Sequence, residues 1–194
     1  MDKNFGIMME EIEIEFVIKH LQKKRDGQTK MLEWGIGGST LLFPLFVDKY
    51  VTVEHNLDWY IEVKNMIIEA NNHEPNVVHG SKNYKWKSNV IPYLIDIPKE
   101  VPTARGNFYD KFENEILSMS EDPNTTIADL NDCIDTKKKY IWSDYINVIN
   151  LLNIPKYDFI FIDGRARADC AYIALNYIDD DSVVFIHDFW PRER

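Results

Sequence analysis

Apolar positions fall into short near-continuous runs separated by longer stretches at helical spacing, and this alternation is clearest at the two ends of the chain. Lys30 to Trp34, Tyr50 to His55, Tyr157 to Asp163 and Ser182 to Asp188 are runs of strand length, apolar enough to be buried on both faces. From about Met8 to Lys24, acids alternate with Ile12, Ile14, Phe16, Val17, Ile18 and Leu21. Length and the lack of turn residues favour a helix there, covering one sheet face, and Asp26-Gly-Gln-Thr29 ends it. Leu57 to Asn71 places Trp59, Tyr60, Val63, Ile67 and Ile68 near one helical face, with Asn56 as its cap. Val77 to Gly80 reads as a short third strand. Tyr140 to Asn153 and Ala166 to Tyr177 read as further helices, the first stopped by Pro155. Strands alternating with helices imply right-handed crossovers. The expected fold is α/β: a doubly wound, mostly parallel Rossmann-like sheet with helices on both faces.

Between Ser81 and about Lys139 the alternation fails, because Pro92, Pro98, Pro102 and Pro123 interrupt a segment rich in Asn, Asp and Lys. This segment, about 81–139, is expected to be an insertion or lid on a single domain spanning 1–194. Tyr84, Trp86, Tyr93, Phe108 and Tyr109 punctuate it, and two uses are open: packing of a subdomain, or stacking on a sugar or aromatic ligand. Lys137-Lys-Lys139 reads as a solvated helix start.

Composition narrows the function classes. At 194 residues and 45% hydrophobic content the chain can bury one substantial core. A net charge of −10 disfavours nucleic acid and anionic lipid as partners. The longest apolar run, Leu41 to Val47, is interrupted by Pro44 and falls short of the ~20 residues a membrane helix needs. The acidic start does not resemble a signal peptide. Cys133 and Cys170 lack metal or redox spacing, so two free thiols in a reducing, cytoplasmic compartment are expected. A homo-oligomer is compatible with all of this.

The chemistry concentrates in Met31-Leu-Glu-Trp-Gly-Ile-Gly-Gly-Ser-Thr-Leu41 followed by Tyr50-Val-Thr-Val-Glu-His55. The order is strand, glycine turn, helix, strand, acid, an arrangement suited to an adenosine-containing ligand. Gly35 and Gly37 allow a sharp turn and close backbone approach, Ser39 and Thr40 open the next helix, and Glu54 ends a strand where it can accept from ribose hydroxyls. The dinucleotide fingerprint G-x-G-x-x-G needs a glycine where Thr40 stands, and it does not need the acid at Glu33.

Glu33-Trp-Gly-Ile-Gly-Gly-Ser-Thr-Leu41, with Val53-Glu-His-Asn56 and Trp59, resembles the start of the class I S-adenosylmethionine-dependent methyltransferases, in particular a subgroup carrying EWGxGGSTL and VEH. Tyr157 to Arg167, with its Asp-Gly-Arg-Ala-Arg, and Val183 to Phe189 are similar to the fourth and fifth strands of that group. The resemblance implies S-adenosylmethionine as cofactor, with Glu33 and the turn Gly35, Gly37, Gly38, Ser39 and Thr40 at its methionine end. It implies Glu54 on the ribose and His55 either at the adenosine edge or simply packed. It also implies transfer to an oxygen of a small-molecule or glycan acceptor, the glycan suggestion coming from relatives with the DGRAR-type motif. The resembled fold continues past its fifth strand into a helix and hairpin, whereas this chain stops at Pro191-Arg-Glu-Arg194, so a fragment or truncated member is expected.

Methyl transfer requires positioning and, for a hydroxyl acceptor, removal of a proton. Asp163, His187 and Asp188 are the candidate catalytic residues. Asp163 and Asp188 both end apolar strands, where an unpaired carboxylate is costly. Mg²⁺ or Mn²⁺ bound by both would compensate them, although Phe189 stands where metal-dependent relatives often place an amide ligand. The alternative is pairing of Asp163 with Arg165 or Arg167, leaving Asp163 or His187 as general base. Arg165 and Arg167 could equally bind an acidic group of the substrate. Two other readings stay open: a nicotinamide-dependent oxidoreductase using the same crevice, and an inert interaction module.

Overall fold

The computed structural model describes residues 9–23, 27–79, 82–95, 97, 126 and 142–188. The chain divides into two compact units, Met1–Ile95 with Tyr145–Arg194, and Asp96–Asp144. The sheet and every site residue discussed below belong to the first unit.

Its elements run α1 (Glu11–Leu21), β1 (Lys30–Trp34), α2 (Ser39–Leu42) leading into a 3-10 turn (Phe43–Phe46), β2 (Lys49–Glu54), α3 (Leu57–His73), β3 (Asn76–His79), β4 (Lys82–Lys85) and β5 (Val90–Leu94). Helical turns at 142–147 and Val148–Leu151 precede β6 (Phe159–Ile162), α4 (Arg167–Ala174), a 3-10 turn (Leu175–Tyr177) and β7 (Val183–Ile186). Five strands form one all-parallel sheet in the order β5-β2-β1-β6-β7. The expected doubly wound, Rossmann-like α/β fold is therefore present.

Strand alternation sends Met31, Tyr50, Phe159 and Phe161 to one face, where they pack with Ile14, Val17, Ile18 and Leu21 of α1 and Val63, Ile67 and Ala70 of α3. Each Val, Leu, Ile, Met or Phe among them contributes about 1.5–3 kcal/mol by leaving water. The opposite face buries Leu32, Trp34, Val51, Val53, Ile160 and Ile162. There Trp34 Nε1 donates to the carbonyl of Tyr145 at 3.1 Å, while α4 packs on β6 and β7. Asn56 caps α3 as expected, its Oδ1 accepting from the Trp59 amide at 3.0 Å. Ile12, expected on the apolar face of the first helix, instead points outward at 72% exposure, while Phe16 is 57% exposed with its ring edge-on to Phe185 of β7.

Two expectations need correction. The strand near Val77 exists, but it pairs antiparallel with β4 in a separate two-stranded sheet. The strand beside β2 is β5, with Pro92 opposite Thr52. Both β4 and β5, of four and five residues, lie within the range 81–139, where the prolines argue against long regular elements. Proline cannot donate to a ladder, yet an edge strand needs hydrogen bonds on one side only, and β5 is an edge. Of the aromatic residues expected in the insertion, Trp86 is buried and donates to Asn71 Oδ1 at 2.8 Å, and Tyr84 packs edge-on against Phe46. Tyr93 sits on β5, half-exposed. Phe108, Tyr109, Cys133 and Lys137 to Lys139 lie outside the described residues.

Candidate functional site

Strand order reverses between β1 and β6, since β2 and β5 continue to one side and β7 to the other. In open α/β sheets the crevice beyond the strand carboxyl ends at such a point is where ligands bind. Ladder bonds continue one step past each strand: Ile95 N to Glu54 O, Gly35 N to Val53 O, Asp163 N to Trp34 O, and His187 N to Ile162 O, at 2.8 to 3.0 Å. The residues following four strands therefore stand level along one edge.

Gly35 makes the turn with φ of +100°, and a Cβ there would lie 2.8 Å from Gly164 N and 3.0 Å from Gly164 Cα. Only glycine permits both the left-handed angle and this backbone approach. Behind the turn Glu33 is fully buried. Its carboxylate accepts from Ser39 Oγ and, at 2.6 Å, from Thr40 Oγ1, while Thr52 Oγ1 lies 3.0 Å away. Thr40 Oγ1 in turn accepts from Gly37 N at 3.0 Å. Burial pushes the Glu33 carboxyl up to about 7, although the hydroxyls of Ser39, Thr40, Tyr50 and Thr52 favour the charged form. Glu33, Ser39 and Thr40 thus form a network inside the fold, shaping the turn from behind. Gly37 differs: among the described residues a Cβ added there would meet nothing within 4 Å, so relative to those residues this part of the turn borders open space.

Glu54 pins the turn from the β2 side. Oε2 accepts from Ile36 N at 3.0 Å, and Oε1 accepts from His55 N at 2.9 Å and Asn56 N at 2.8 Å, with His55 Nδ1 also 2.9 Å away. Burial alone would raise this carboxyl, but the interactions with His55, Asn56 and Ile36 outweigh it and hold the pKa below the usual value. The indole Nε1 of Trp59, in the first turn of α3, donates to Ile36 O. Both backbone polar groups of Ile36 are thereby fixed by the β2–α3 connection. The His55 ring stands edge-on to Tyr145 at 5.6 Å between centroids.

Tyr145 is fully buried between the ends of β2 and β6. A Cβ at Gly164 would lie 2.0 Å from its hydroxyl, so Gly164 is required by this side chain. Burial, and secondarily the charge of Glu54, raise the phenol well above its ordinary pKa, against a hydrogen bond with the Arg165 backbone.

At the far end of the crevice Asp163 and His187 meet: Nδ1 of the imidazole is 2.8 Å from Asp163 Oδ1. Nε2 faces Glu13 Oε2 of α1 at 3.6 Å, and the ring lies near-parallel to Phe161. Arg167 Nη2 is 3.4 Å from the same Asp163 oxygen. Arg167 and His187 thus both face the Asp163 carboxylate. Asp188 follows with a left-handed φ of 50° and is exposed. Among the described residues no group of three or more His, Cys, Asp or Glu is placed to hold a metal ion. The donor set at Asp163 and Asp188 does not fit Mg²⁺ or Mn²⁺, because the Asp163 carboxylate already faces an arginine and a histidine. Arg165 is exposed, while Arg167 turns back into the strand ends.

Sequence reasoning missed three participants, Thr52, Tyr145 and Glu13, and although Trp59 belongs to the motif block, its bond to Ile36 O was not foreseen. Thr52 was accessible in principle, since it pairs with Glu33 in register and shares the face of Glu54. Tyr145 and Glu13 are distant in sequence from the residues they meet, and no local signal marks them. Cys170 is buried in α4, and burial, then Asp169, push its thiol up to about 12, which fits an unreactive cysteine. No described helix is long and apolar enough to cross a membrane.

No protein-family model matches the chain, and no curated protein matches it. Among solved structures, a methyltransferase-like protein from Silicibacter pomeroyi DSS-3 is similar, with a TM-score of 0.55 and 18% identity, over 96% of this chain and 75% of that one. Similarity at this identity carries the fold: the chain shares a Rossmann-like α/β architecture with a methyltransferase-like protein.

Proposed function

We propose that this protein is an S-adenosylmethionine-dependent methyltransferase acting on a hydroxyl of a small molecule or glycan. The observation that carries the reading is the turn at Ile36, held through its amide by Glu54 and through its carbonyl by Trp59, with Gly37 bordering open space. A turn fixed from both sides is preorganised for close approach of a ligand; the motif resemblance implies which one, and the fold is shared with a methyltransferase-like protein.

The residues present fit such a nucleoside. Gly37 and Gly38 would border its methionine end, and Glu33, Ser39 and Thr40 would hold that surface in shape without touching it. Glu54 would take the ribose hydroxyls. Its two oxygens have about four acceptor positions, and the nitrogens of Ile36, His55 and Asn56 already approach them, so ribose binding requires an exchange of partners there. When bound, the cofactor supplies an electrophilic methyl on a sulfonium. The protein aligns the acceptor and takes its proton, for which His187, with Asp163 on Nδ1, is the base the geometry favours. Exposed Arg165 is available to an acidic group on the acceptor. Asp188 lines the same strand end.

Isothermal titration and thermal shift with S-adenosylhomocysteine test the reading, with NADH as the comparison ligand. A ligand that binds only the folded state must raise the melting temperature. The expected outcome is a shift with the nucleoside thioether and none with NADH. The reverse would transfer the crevice to a dehydrogenase, and no shift with either would remove the proposal. Tritiated cofactor presented with panels of phenols and glycans then identifies the acceptor.

A further inference from the structure

The guanidinium of Arg167 divides its contacts between two strand ends. At the end of β6, Nε donates to Gly164 O at 3.1 Å and Nη2 to Asp163 O at 3.3 Å, with the Asp163 carboxylate 3.4 Å away. At the end of β7, Nη1 donates to His187 O. The backbone atoms it joins belong to the two residues of the dyad and to the glycine against Tyr145. A planar group with donors on three nitrogens can span such a gap, whereas an ammonium cannot.

We propose that Arg167 is a positioning residue for the Asp163–His187 pair, fixing the imidazole as the Nδ1–H tautomer and leaving Nε2 as the basic nitrogen. An ionised carboxylate only accepts hydrogen bonds, so an Asp163 oxygen held 2.8 Å from Nδ1 requires the proton on that nitrogen. Asp163 is 31% exposed at its side chain and would otherwise have room to turn away. Nε2 has no comparable anchor in Glu13, because 3.6 Å is too long for a hydrogen bond and Glu13 Oε2 already accepts from Glu10 N at 2.9 Å. Nε2 therefore faces the first turn of α1 across the Glu13 carboxylate, without a hydrogen bond to it. With its donors directed to three carbonyls and one carboxylate, Arg167 has little capacity left for a substrate anion, unlike exposed Arg165.

This deepens the methyltransferase reading, so its test uses the imidazole itself and needs neither cofactor nor acceptor. Nitrogen-15 spectra of histidine-labelled protein, with His187→Gln to assign the signals, report the tautomer under mildly alkaline conditions. Wild type is expected to show a single Nδ1–H pattern for His187, and Arg167→Ala an averaged pattern from both tautomers. Arg167→Lys, which keeps the charge and most of the stem, is expected to average as well and carries the test if the alanine variant does not fold. An unchanged Nδ1–H pattern in either folded variant overturns the proposal, as does an Nε2–H pattern in wild type. Failure of wild type to bind S-adenosylhomocysteine would overturn the proposed function and leave the tautomer result standing.

Discussion

Replacing Gly35 and Gly37 separately by alanine separates the role of the turn in folding from its role in binding. At Gly35 the new Cβ meets Gly164 N at 2.8 Å, Gly164 Cα at 3.0 Å and the Asp163 carbonyl carbon at 3.1 Å, all backbone that cannot rotate aside. The φ of +100° adds strain of about 1–3 kcal/mol. Relieving the clash means parting the ends of β1 and β6, an overpacking cost of about 1–3 kcal/mol. A total of about 2–6 kcal/mol is a large part of a typical domain's stability, and at about 2–4 °C per kcal/mol the melting temperature should fall on the order of 5–20 °C. At Gly37 nothing lies within 4 Å and φ is outside the left-handed region, so stability should change by less than about 1 kcal/mol. Its methyl group nevertheless enters the space proposed for the cofactor. Saturating S-adenosylhomocysteine, at a hundred times its dissociation constant, stabilises a binding-competent protein by about 2.7 kcal/mol. Differential scanning calorimetry with and without that ligand should show a low melting temperature for Gly35→Ala, and for Gly37→Ala a normal melting temperature with a diminished ligand shift. An undisturbed Gly35→Ala would refute the packing described for β1 and β6, and a full ligand shift in Gly37→Ala would refute the placement of the cofactor.

The buried groups support three further tests. The Glu33 carboxyl moves from its usual 4.5 to about 7 on folding, so the folded state holds the proton more tightly and stability declines as pH rises through that window, by about 3 kcal/mol in all. Glu33→Gln should remove this decline, and parallel pH dependence of the two melting curves between those limits would contradict it. Gly164→Ala should be costly beside Tyr145, while adding Tyr145→Phe should recover part of the loss, with a coupling of about 0.5–3 kcal/mol in a double-mutant cycle of urea denaturation; simple additivity would disprove the contact. Trp59→Phe removes the donor to Ile36 O and should cost about 0.5–1.5 kcal/mol in S-adenosylhomocysteine binding by titration calorimetry, and an unaltered affinity would show that the turn does not need that anchor.

What the sequence made legible were features that depend on near neighbours. The apolar run at Lys30 to Trp34 has the same bounds as β1, and the cap at Asn56 and the glycine turn after Trp34 rest on residues a few positions apart. What stayed hidden depended on position within the sheet. Pro92 argues against a central strand, and only the strand order makes β5 an edge where proline is harmless. Val77 and Val78 look like a buried strand, yet Val78 is 69% exposed, because β3 pairs with β4 outside the main sheet.

The same distinction separates the two acids of the turn. Glu33 and Glu54 are both strand-end carboxylates, and their spelling in the sequence suggests two ligand contacts. Alternation places both on the face of α1 and α3, but Glu33 stands two residues before Gly35, beneath the turn and among hydroxyl donors, with no surface of its own. Glu54 ends β2 and is surrounded by amide donors that favour the charged form. The two therefore shift in opposite directions although both are buried, since hydroxyls near Glu33 do not offset the loss of water and the backbone amides and imidazole near Glu54 do. An acid at a strand end is thus a candidate ligand only when its charge is already stabilised at the crevice edge. Of the two, Glu54 meets that condition, and Glu33 would act on the proposed ligand only through the shape of the turn at Gly37.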